Sequence, residues 1–144
     1  MPPVLKAMTG LLLALAAAWI WHGPLGYGGR LIDRLQSEAE VGVARSELAG
    51  ITVSLHRDPL ARAARLSGAA NDLQREGLGS QKGVTDYVRD VPGMADVRWD
   101  DEPRDGRRIV PLLLETMALA ALAYLIGLGL GWLLWGRRRR EGFV

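Results

Sequence analysis

One apolar stretch, residues 109–135, constrains this chain most, because a small soluble fold has no interior large enough to cover it. The stretch carries a single charged residue, Glu115. As an α-helix rising ~1.5 Å per residue it reaches roughly 40 Å, enough to cross a hydrocarbon core of about 30 Å with some tilt. Four consecutive arginines follow Gly136: Arg137, Arg138, Arg139 and Arg140. Guanidinium groups resist transfer across a bilayer, which predicts that residues 136–144 form a basic cytoplasmic tail.

A second apolar stretch opens the chain. Residues 1–22 carry one charge, Lys6, and end with Trp19 and Trp21. One interpretation is a cleavable signal peptide, for which Ala16-Ala17-Ala18 would be the cleavage site. The other, which we favour, is a retained signal anchor whose amino terminus stays inside. Tryptophans and arginines collect at membrane–water interfaces, so we expect headgroup contacts from the arginine block and from four tryptophans: Trp19, Trp21, Trp132 and Trp135.

The charges of the chain are unevenly distributed. Of its 144 residues, 24% are charged, and these crowd between residues 22 and 108, where acidic and basic side chains nearly balance. The formal net charge of +2 comes mostly from the arginine tail. A nucleic-acid partner is therefore not expected, since it would require a basic face on the polar part. The chain has no cysteine, which excludes disulfides, thiolate nucleophiles and cysteine-ligated metals.

Between the two apolar stretches the sequence predicts a small extracytoplasmic α+β domain in the order helix, strand, strand, helix, strand. A glycine-rich linker over 23–29 precedes it, and the domain covers residues 30–100. Apolar periodicity predicts a helix over 30–48 and a second over 84–91, with a loop before the latter. Alternation predicts strands at 51–55, 61–66 and 95–99. A charged linker, 101–108, leads into the second span. The expected core is Leu31, Ile32, Leu35, Val43, Leu48, Ile51, Val53, Leu55, Leu66, Val84, Val88, Val97 and Trp99.

Short motifs in this domain resemble those of the BON domain, a small bacterial envelope module. That family often shows Leu-x-Gly after its second strand, as in Leu66-Ser67-Gly68, and Gly-Val-x-x-Val before its third. Here Gly93 and Val97 fit the latter motif, with Met94 where valine is usual. The resemblance covers roughly residues 30–100. It implies attachment to phospholipid surfaces or to other proteins in the bacterial envelope, without catalysis.

Three residues of the second span are candidates for contacts with partners. A charge within a span is costly, which makes Glu115 a functional candidate by default. It could pair with Arg108 or a neighbouring protein, which we favour, or it could relay protons. Gly127 and Gly131 form a small-xxx-small pair that permits close helix approach. The partner would be another subunit or the small residues of the first span: Ala14, Ala17 and Ala18.

The remaining chemistry-bearing residues favour no reaction. His22 lies four residues after Ala18, similar to the pigment-binding histidines of light-harvesting polypeptides, but Gly23-Pro24 ends the helix there, so an interfacial histidine is the better interpretation. His56 has no nucleophile or second ligand near it. The carboxylate pairs Asp58/Asp86 and Asp96/Asp100 lack any feature that brings them together, and the acidic linker lacks the ligand spacing of a calcium loop. We therefore expect neither an enzyme, nor a cofactor, nor a metal site.

Together these patterns predict a two-pass protein of the bacterial inner membrane. Both termini would be cytoplasmic and residues 22–108 periplasmic. The expected role is a non-enzymatic accessory or assembly subunit of an integral membrane protein complex, possibly an energy-transducing one, that contacts membrane lipids. The alternative is a free-standing envelope module whose domain binds phospholipid or cell-wall polymer.

Overall fold

A computed structural model, which describes residues 2–103 and 109–136, shows an α+β fold in which two long apolar helices flank a small sheet region. The helices are α1 (Pro3–His22), α2 (Tyr27–Arg45), α3 (Asp72–Glu76), α4 (Val84–Arg89) and α5 (Leu112–Gly131), the last continuing as a π-helical turn over Trp132–Gly136. The strands are β1 (Thr52–Arg57), β2 (Leu60–Ser67), β3 (Gly77–Leu78), β4 (Gln81–Lys82) and β5 (Asp96–Trp99). The chain forms two compact units: the domain, Gly26–Leu112, and the pair formed by α1 and the rest of α5.

The domain is built on a three-stranded mixed sheet of order β1-β2-β5. β1 and β2 form an antiparallel hairpin, while β5 runs parallel to β2. A parallel neighbour requires a crossover connection, and the segment that carries α3 and α4 supplies it. The helix α2 packs against β1, β2 and α4. The sheet is therefore covered by helices on one face.

Apolar side chains on the helix-covered face form the core. Alternation along β1 buries Val53 and Leu55, and the register places Leu66 and Ala64 opposite them. Ile32, Leu66 and Val88 are fully removed from solvent. The expected core residues are buried with two exceptions, discussed below, and the core further includes Ala39, Ala64, Val91 and Leu112. Leu112, the first residue of α5, therefore belongs to the domain.

A side chain of α2 satisfies the outer edge of the sheet. The Gln36 Nε2 group donates a hydrogen bond to the carbonyl oxygen of Val53 at 2.8 Å, and the Leu55 backbone N–H donates to Gln36 Oε1 at 2.8 Å. The amide thus occupies the positions that a further strand would use. Unpaired edges invite association with other strands, so Gln36 closes this side of the sheet.

The boundaries predicted for α2 were wrong at both ends. The helix begins at Tyr27 rather than at 30, with Gly28 buried in its first turn, so the linker is shorter than the glycine-rich sequence indicates. Gly26, at φ 71°, makes the left-handed turn that starts it. At the other end the helix stops at Arg45, where the Ser46 hydroxyl donates to the Val43 carbonyl oxygen at 2.6 Å. The glycine at 50 lies beyond this end.

Two predicted core residues lie elsewhere. Leu31 is 39% exposed, because the buried face of α2 is centred near Ala39, between Ile32 and Leu35, and Leu31 lies roughly 80° around the helix from Ala39. Leu48 is only partly buried and packs against the edge of the core. The helices α2 and α4 touch through backbone at Gly42, because a Cβ built on it would lie 3.0 Å from the Tyr87 carbonyl oxygen.

The predicted loop before α4 contains structure. Asn71 caps α3 by accepting a hydrogen bond from the Gln74 backbone N–H at 2.8 Å, while the Gln74 side chain accepts from the Asn71 N–H at 3.0 Å. This reciprocal capping box stabilises a helix too short for apolar periodicity to reveal. The two-residue strands β3 and β4 follow as a hairpin.

The two motif glycines of the family resemblance occupy backbone conformations that favour glycine. Gly68 has a φ of 133° and Gly93 a φ of 99°. A Cβ at Gly68 would also collide with the carbonyl oxygen of Gly50. Both residues are therefore required locally by the fold, at the end of β2 and in the turn before β5.

Candidate functional site

The face of the sheet that the helices leave open carries a cavity of ≈ 460 Å³. All three strands contribute to its lining, with Ser54 and His56 from β1, Arg65 from β2, and Asp96 and Arg98 from β5. Asp100, Glu102, Pro103 and Ile109 complete its polar and apolar rim. A volume of this order suits a small molecule. The cavity brings together seven polar or charged side chains from the three strands and the segment that follows β5.

Two arginines form the floor of the cavity. Arg65 and Arg98 are register partners on the parallel strands β2 and β5, so their side chains lie next to each other on the open face. The Arg65 Nε atom lies 3.2 Å from Asp100 Oδ1, and the Arg98 Nε atom donates to Asp96 Oδ2 at 2.6 Å. Each guanidinium is thus held from its Nε side by one carboxylate.

His56 closes the cavity on the β1 side. Its Nδ1 atom donates to the carbonyl oxygen of Pro59 at 2.8 Å, within the hairpin turn that joins β1 and β2. With Nδ1 bearing the proton, Nε2 is an acceptor in the neutral ring. His56 lies within β1, one residue beyond the strand predicted over 51–55 and beside the hairpin turn.

A second polar cluster lies behind β5 and ties α3 to the end of that strand. Arg75 makes two hydrogen bonds to Asp101, at 2.8 and 2.7 Å, and its guanidinium lies 4.2 Å from the centre of the Trp99 ring. The Trp99 Nε1–H donates to the Thr85 hydroxyl at 3.0 Å. The hydrogen bond from Arg75 holds the pKa of Asp101 below its ordinary value and raises the pKa of Arg75. This bidentate pair fixes the backbone where the chain leaves the sheet.

The helices α1 and α5 meet at Tyr124, a contact that the sequence pattern did not predict. The Tyr124 hydroxyl donates to the Ala7 carbonyl oxygen at 2.6 Å. A Cβ built on Gly10 would lie 2.5 Å from that hydroxyl oxygen and 2.9 Å from the ring, so glycine alone leaves room for the tyrosine. Partly buried positions recur every three or four residues on both helices: Ala7, Gly10, Leu11, Ala14, Leu15 and Ala18 on α1, and Leu113, Met117, Ala120, Ala121 and Tyr124 on α5.

The residues predicted for helix packing lie outside this contact. Nothing lies within 4 Å of a Cβ built on Gly127, Gly129 or Gly131 in the described structure. Of the small residues expected on the first apolar helix, Ala14 and Ala18 lie on its contact face and Ala17 is exposed. The small-xxx-small pattern looks for two small residues spaced four apart. It could not indicate Gly10, because this glycine packs by itself against an aromatic ring of the other helix.

Glu115 lies in the first turn of α5 and is partly buried. The exposed N–H groups and the positive end of the helix macrodipole favour a carboxylate at this position. Arg108, its predicted partner, lies outside the described residues, as do Arg137, Arg138, Arg139 and Arg140.

The predicted interfacial residues have exposed rings. Trp19, Trp21 and Trp132 are exposed on the surface of α1 and of the turn that ends α5. The side chain of Trp135 lies outside the described part. The Nδ1 atom of His22, at the end of α1, is buried without a hydrogen-bond partner among the described residues.

Neither of the two carboxylate pairs considered for acid–base chemistry forms in the described structure. Asp96 and Asp100 line the same cavity, but each is bonded to its own arginine. Asp58 lies in the β1–β2 turn, while Asp86 accepts a hydrogen bond from the Gly83 backbone N–H at 3.3 Å. No group of three or more His, Asp or Glu side chains that could hold a metal ion occurs within 2–103 and 109–136.

Comparison of the chain with protein-family models, with curated proteins and with solved structures finds no match. The BON-like motifs therefore stay a resemblance carried by Gly68, Gly93 and Val97. Two helices, Pro3–His22 and Leu112–Leu134, are long and apolar enough to cross a membrane.

Proposed function

We propose that the chain is a non-enzymatic accessory or assembly subunit of a bacterial inner-membrane protein complex. Its two apolar helices cross the membrane, both termini are cytoplasmic, and the domain lies on the periplasmic side. The arginine block supports this orientation through the positive-inside rule.

The observation that carries the proposal is a difference between the glycines of the two helices: one is in contact within the chain, and others are not. Gly10 receives Tyr124 from the same chain, whereas the face of α5 with Gly127 and Gly131 is open in the described structure. In lipid, helices associate by close backbone contact and by interhelical hydrogen bonds. The helices α1 and α5 thus contact each other at Gly10, while Gly127 and Gly131 leave a glycine face of α5 uncovered. Such a face suits a subunit that binds a helix of a neighbouring protein.

A pair of matched substitutions tests this function. Gly127 and Gly129 point about 200° apart on α5, and both have room for a larger side chain within this chain. The full chain with a carboxy-terminal tag would be extracted from native membranes in mild detergent and sized on a native gel. We expect the wild type and Gly129→Leu to migrate with a large complex and Gly127→Leu to migrate alone. Migration of the wild type as a small species would refute the subunit role.

The cavity on the open sheet face favours a second function, a free-standing envelope module that binds phospholipid or cell-wall polymer. Its paired arginines would hold an anionic group of such a ligand. A wild-type protein that migrates alone, but whose full chain in maltoside micelles is retained on immobilised phospholipid or cell-wall polymer, would support this function over the first.

A further inference from the structure

We infer that the cavity on the open sheet face binds a small zwitterion, with a phosphate group held by Arg65 and Arg98 and an ammonium group held by Glu102. This assignment concerns the ligand of one site in the domain. It does not depend on whether the chain is a subunit of a larger complex.

Both arginines line the same cavity and have donors that the described contacts do not use. A guanidinium carries five N–H groups. The contacts described for Arg65 and Arg98 use Nε alone, so the terminal amino groups of both side chains make no hydrogen bond to residues within 2–103 and 109–136. Arg98 is the more enclosed of the two, with 24% of its side chain exposed, and the carboxylate of Asp96 holds it in place. Two positioned guanidinium forks side by side are a donor set for an anion.

The geometry favours phosphate over carboxylate. A carboxylate presents its two oxygens along one edge, which matches one guanidinium fork. Phosphate oxygens lie at the corners of a tetrahedron, so forks on two neighbouring strands can bond to it from different sides. Ser54, opposite Arg65 in the register of β1 and β2, adds a hydroxyl donor on the third strand.

The charges around the cavity call for a cationic group on the same ligand. The lining holds two cations, Arg65 and Arg98, and three carboxylates, from Asp96, Asp100 and Glu102. Asp96 and Asp100 are each bonded to an arginine. The Glu102 carboxylate makes no hydrogen bond or ion pair with the described residues, and its attraction to Arg75, which lies outside the cavity lining, acts at longer range. A simple anion would add to the excess of negative charge in this lining. A ligand with an ammonium group near its phosphate would balance it.

The test uses the full chain in maltoside micelles and isothermal titration with three soluble probes. Glycerophosphoethanolamine carries both groups, glycerophosphoglycerol lacks the ammonium, and ethanolamine lacks the phosphate. We expect saturable binding of glycerophosphoethanolamine, with each of the other two bound about tenfold more weakly or worse. Absence of saturable binding of glycerophosphoethanolamine, or equal affinity for all three probes, would overturn the proposal.

Substitutions assign the two halves of the site. Arg65→Gln should lower the affinity for glycerophosphoethanolamine about tenfold or more, and Glu102→Gln should make that affinity equal to the one for glycerophosphoglycerol. Arg34→Gln, on an exposed arginine of α2 that pairs with Glu38, is the control and should bind as the wild type does. Wild-type affinity in both Arg65→Gln and Glu102→Gln would refute the site. Since Glu102 makes no contact that the fold needs, its variant stays informative even if Arg65→Gln misfolds.

A last arm distinguishes a lipid headgroup from a soluble ligand. The chain would be placed in nanodiscs of phosphatidylethanolamine or of phosphatidylglycerol and titrated with glycerophosphoethanolamine. A weaker apparent affinity in phosphatidylethanolamine would show that the lipid headgroup reaches and occupies the cavity. Equal affinity in both would assign the site to a soluble zwitterion. Loss of binding in both, after binding in micelles, would contradict a site on the free face of the domain.

Discussion

In the domain, Ile32, Leu66 and Val88 are fully removed from solvent, whereas no residue of α1 is buried and Leu112, a domain residue, is the one buried position of α5. The domain is stabilised by apolar side chains that leave water, at roughly 25 cal/mol per Å². In the membrane location that we propose for α1 and α5, lipid would remove that driving force, because the exposed side chains of both helices would already be in an apolar solvent. The contacts described between these two helices are close packing at Gly10 and the hydrogen bond from Tyr124 to the Ala7 carbonyl oxygen.

This difference explains what the sequence could and could not reveal. In the domain, apolar positions stand out against polar ones, so β1, β2, α4 and β5 were located to within a few residues and most of the core was predicted. In the spans nearly every position is apolar, so periodicity cannot select a face. Gly127 and Gly131 were therefore chosen for their spacing, while the glycine that contacts the partner helix is Gly10.

Removing a core side chain is the strongest test of the difference between the domain and the helix pair. Leu66→Ala should lower the free energy of unfolding of the domain by about 2–5 kcal/mol. The residue is fully buried, so its truncation loses buried apolar atoms and leaves a cavity that the neighbouring side chains fill only in part. Leu78→Ala is the control, since that side chain is 69% exposed and should change stability by less than about 0.5 kcal/mol. Both would be measured by thermal and urea unfolding of the full chain, followed by circular dichroism. Equal effects would mean that Leu66 is not in the core.

A single methyl group should destabilise the pairing of α1 with α5 when it is added at Gly10 of α1, and should change it little when it is added at Gly129 of α5. Gly10→Ala places a Cβ 2.5 Å from the Tyr124 hydroxyl and should cost about 1–3 kcal/mol of helix–helix stability through overpacking. Gly129→Ala adds the same methyl group where nothing lies within 4 Å. Titration of the maltoside-solubilised protein with dodecyl sulfate would report both. If Gly129→Ala were the more damaging change, the packing face of α5 would have to be reassigned.

Removing the hydroxyl of Tyr124 separates the hydrogen bond from the packing. Tyr124→Phe keeps the ring against Gly10 but loses the bond to the Ala7 carbonyl oxygen, which should cost about 0.6 kcal/mol, the average for hydrogen bonds between helices in a membrane. The same dodecyl sulfate titration measures it. A loss as large as that of Gly10→Ala would show that the bond, rather than the close approach, holds the helices together.

The smallest expected effect is a dependence on pH in the domain. Because the hydrogen bond from Arg75 lowers the pKa of Asp101 from 3.8, the pair adds stability above the unfolded pKa, and this contribution is lost as the pH falls through the folded pKa. The melting temperature of the wild type should therefore fall more between pH 5 and acid than that of Asp101→Asn, which never carries the charge. Parallel curves for the two proteins would show that the pair does not contribute.

The candidate site was foreseen only in part. Asp96 and Asp100 were recognised as a possible pair, but their arginine partners were not, because Arg65 and Arg98 become neighbours only when β5 joins β2 in parallel across a long crossover. Register between strands distant in sequence cannot be obtained from local pattern. His56 and Ser54 reach the same cavity for the same reason, through the hairpin with β2.

The orientation of the two spans is the central claim, and single-cysteine labelling tests it most directly, since the chain has no cysteine of its own to give background. Ser80→Cys introduces a thiol at an exposed position of the domain, and Gly142→Cys introduces one in the basic tail. Intact spheroplasts would be treated with a maleimide that does not cross membranes. We predict that Ser80→Cys is labelled at once and Gly142→Cys only after lysis; labelling of the tail in intact spheroplasts, with the domain protected, would contradict the account.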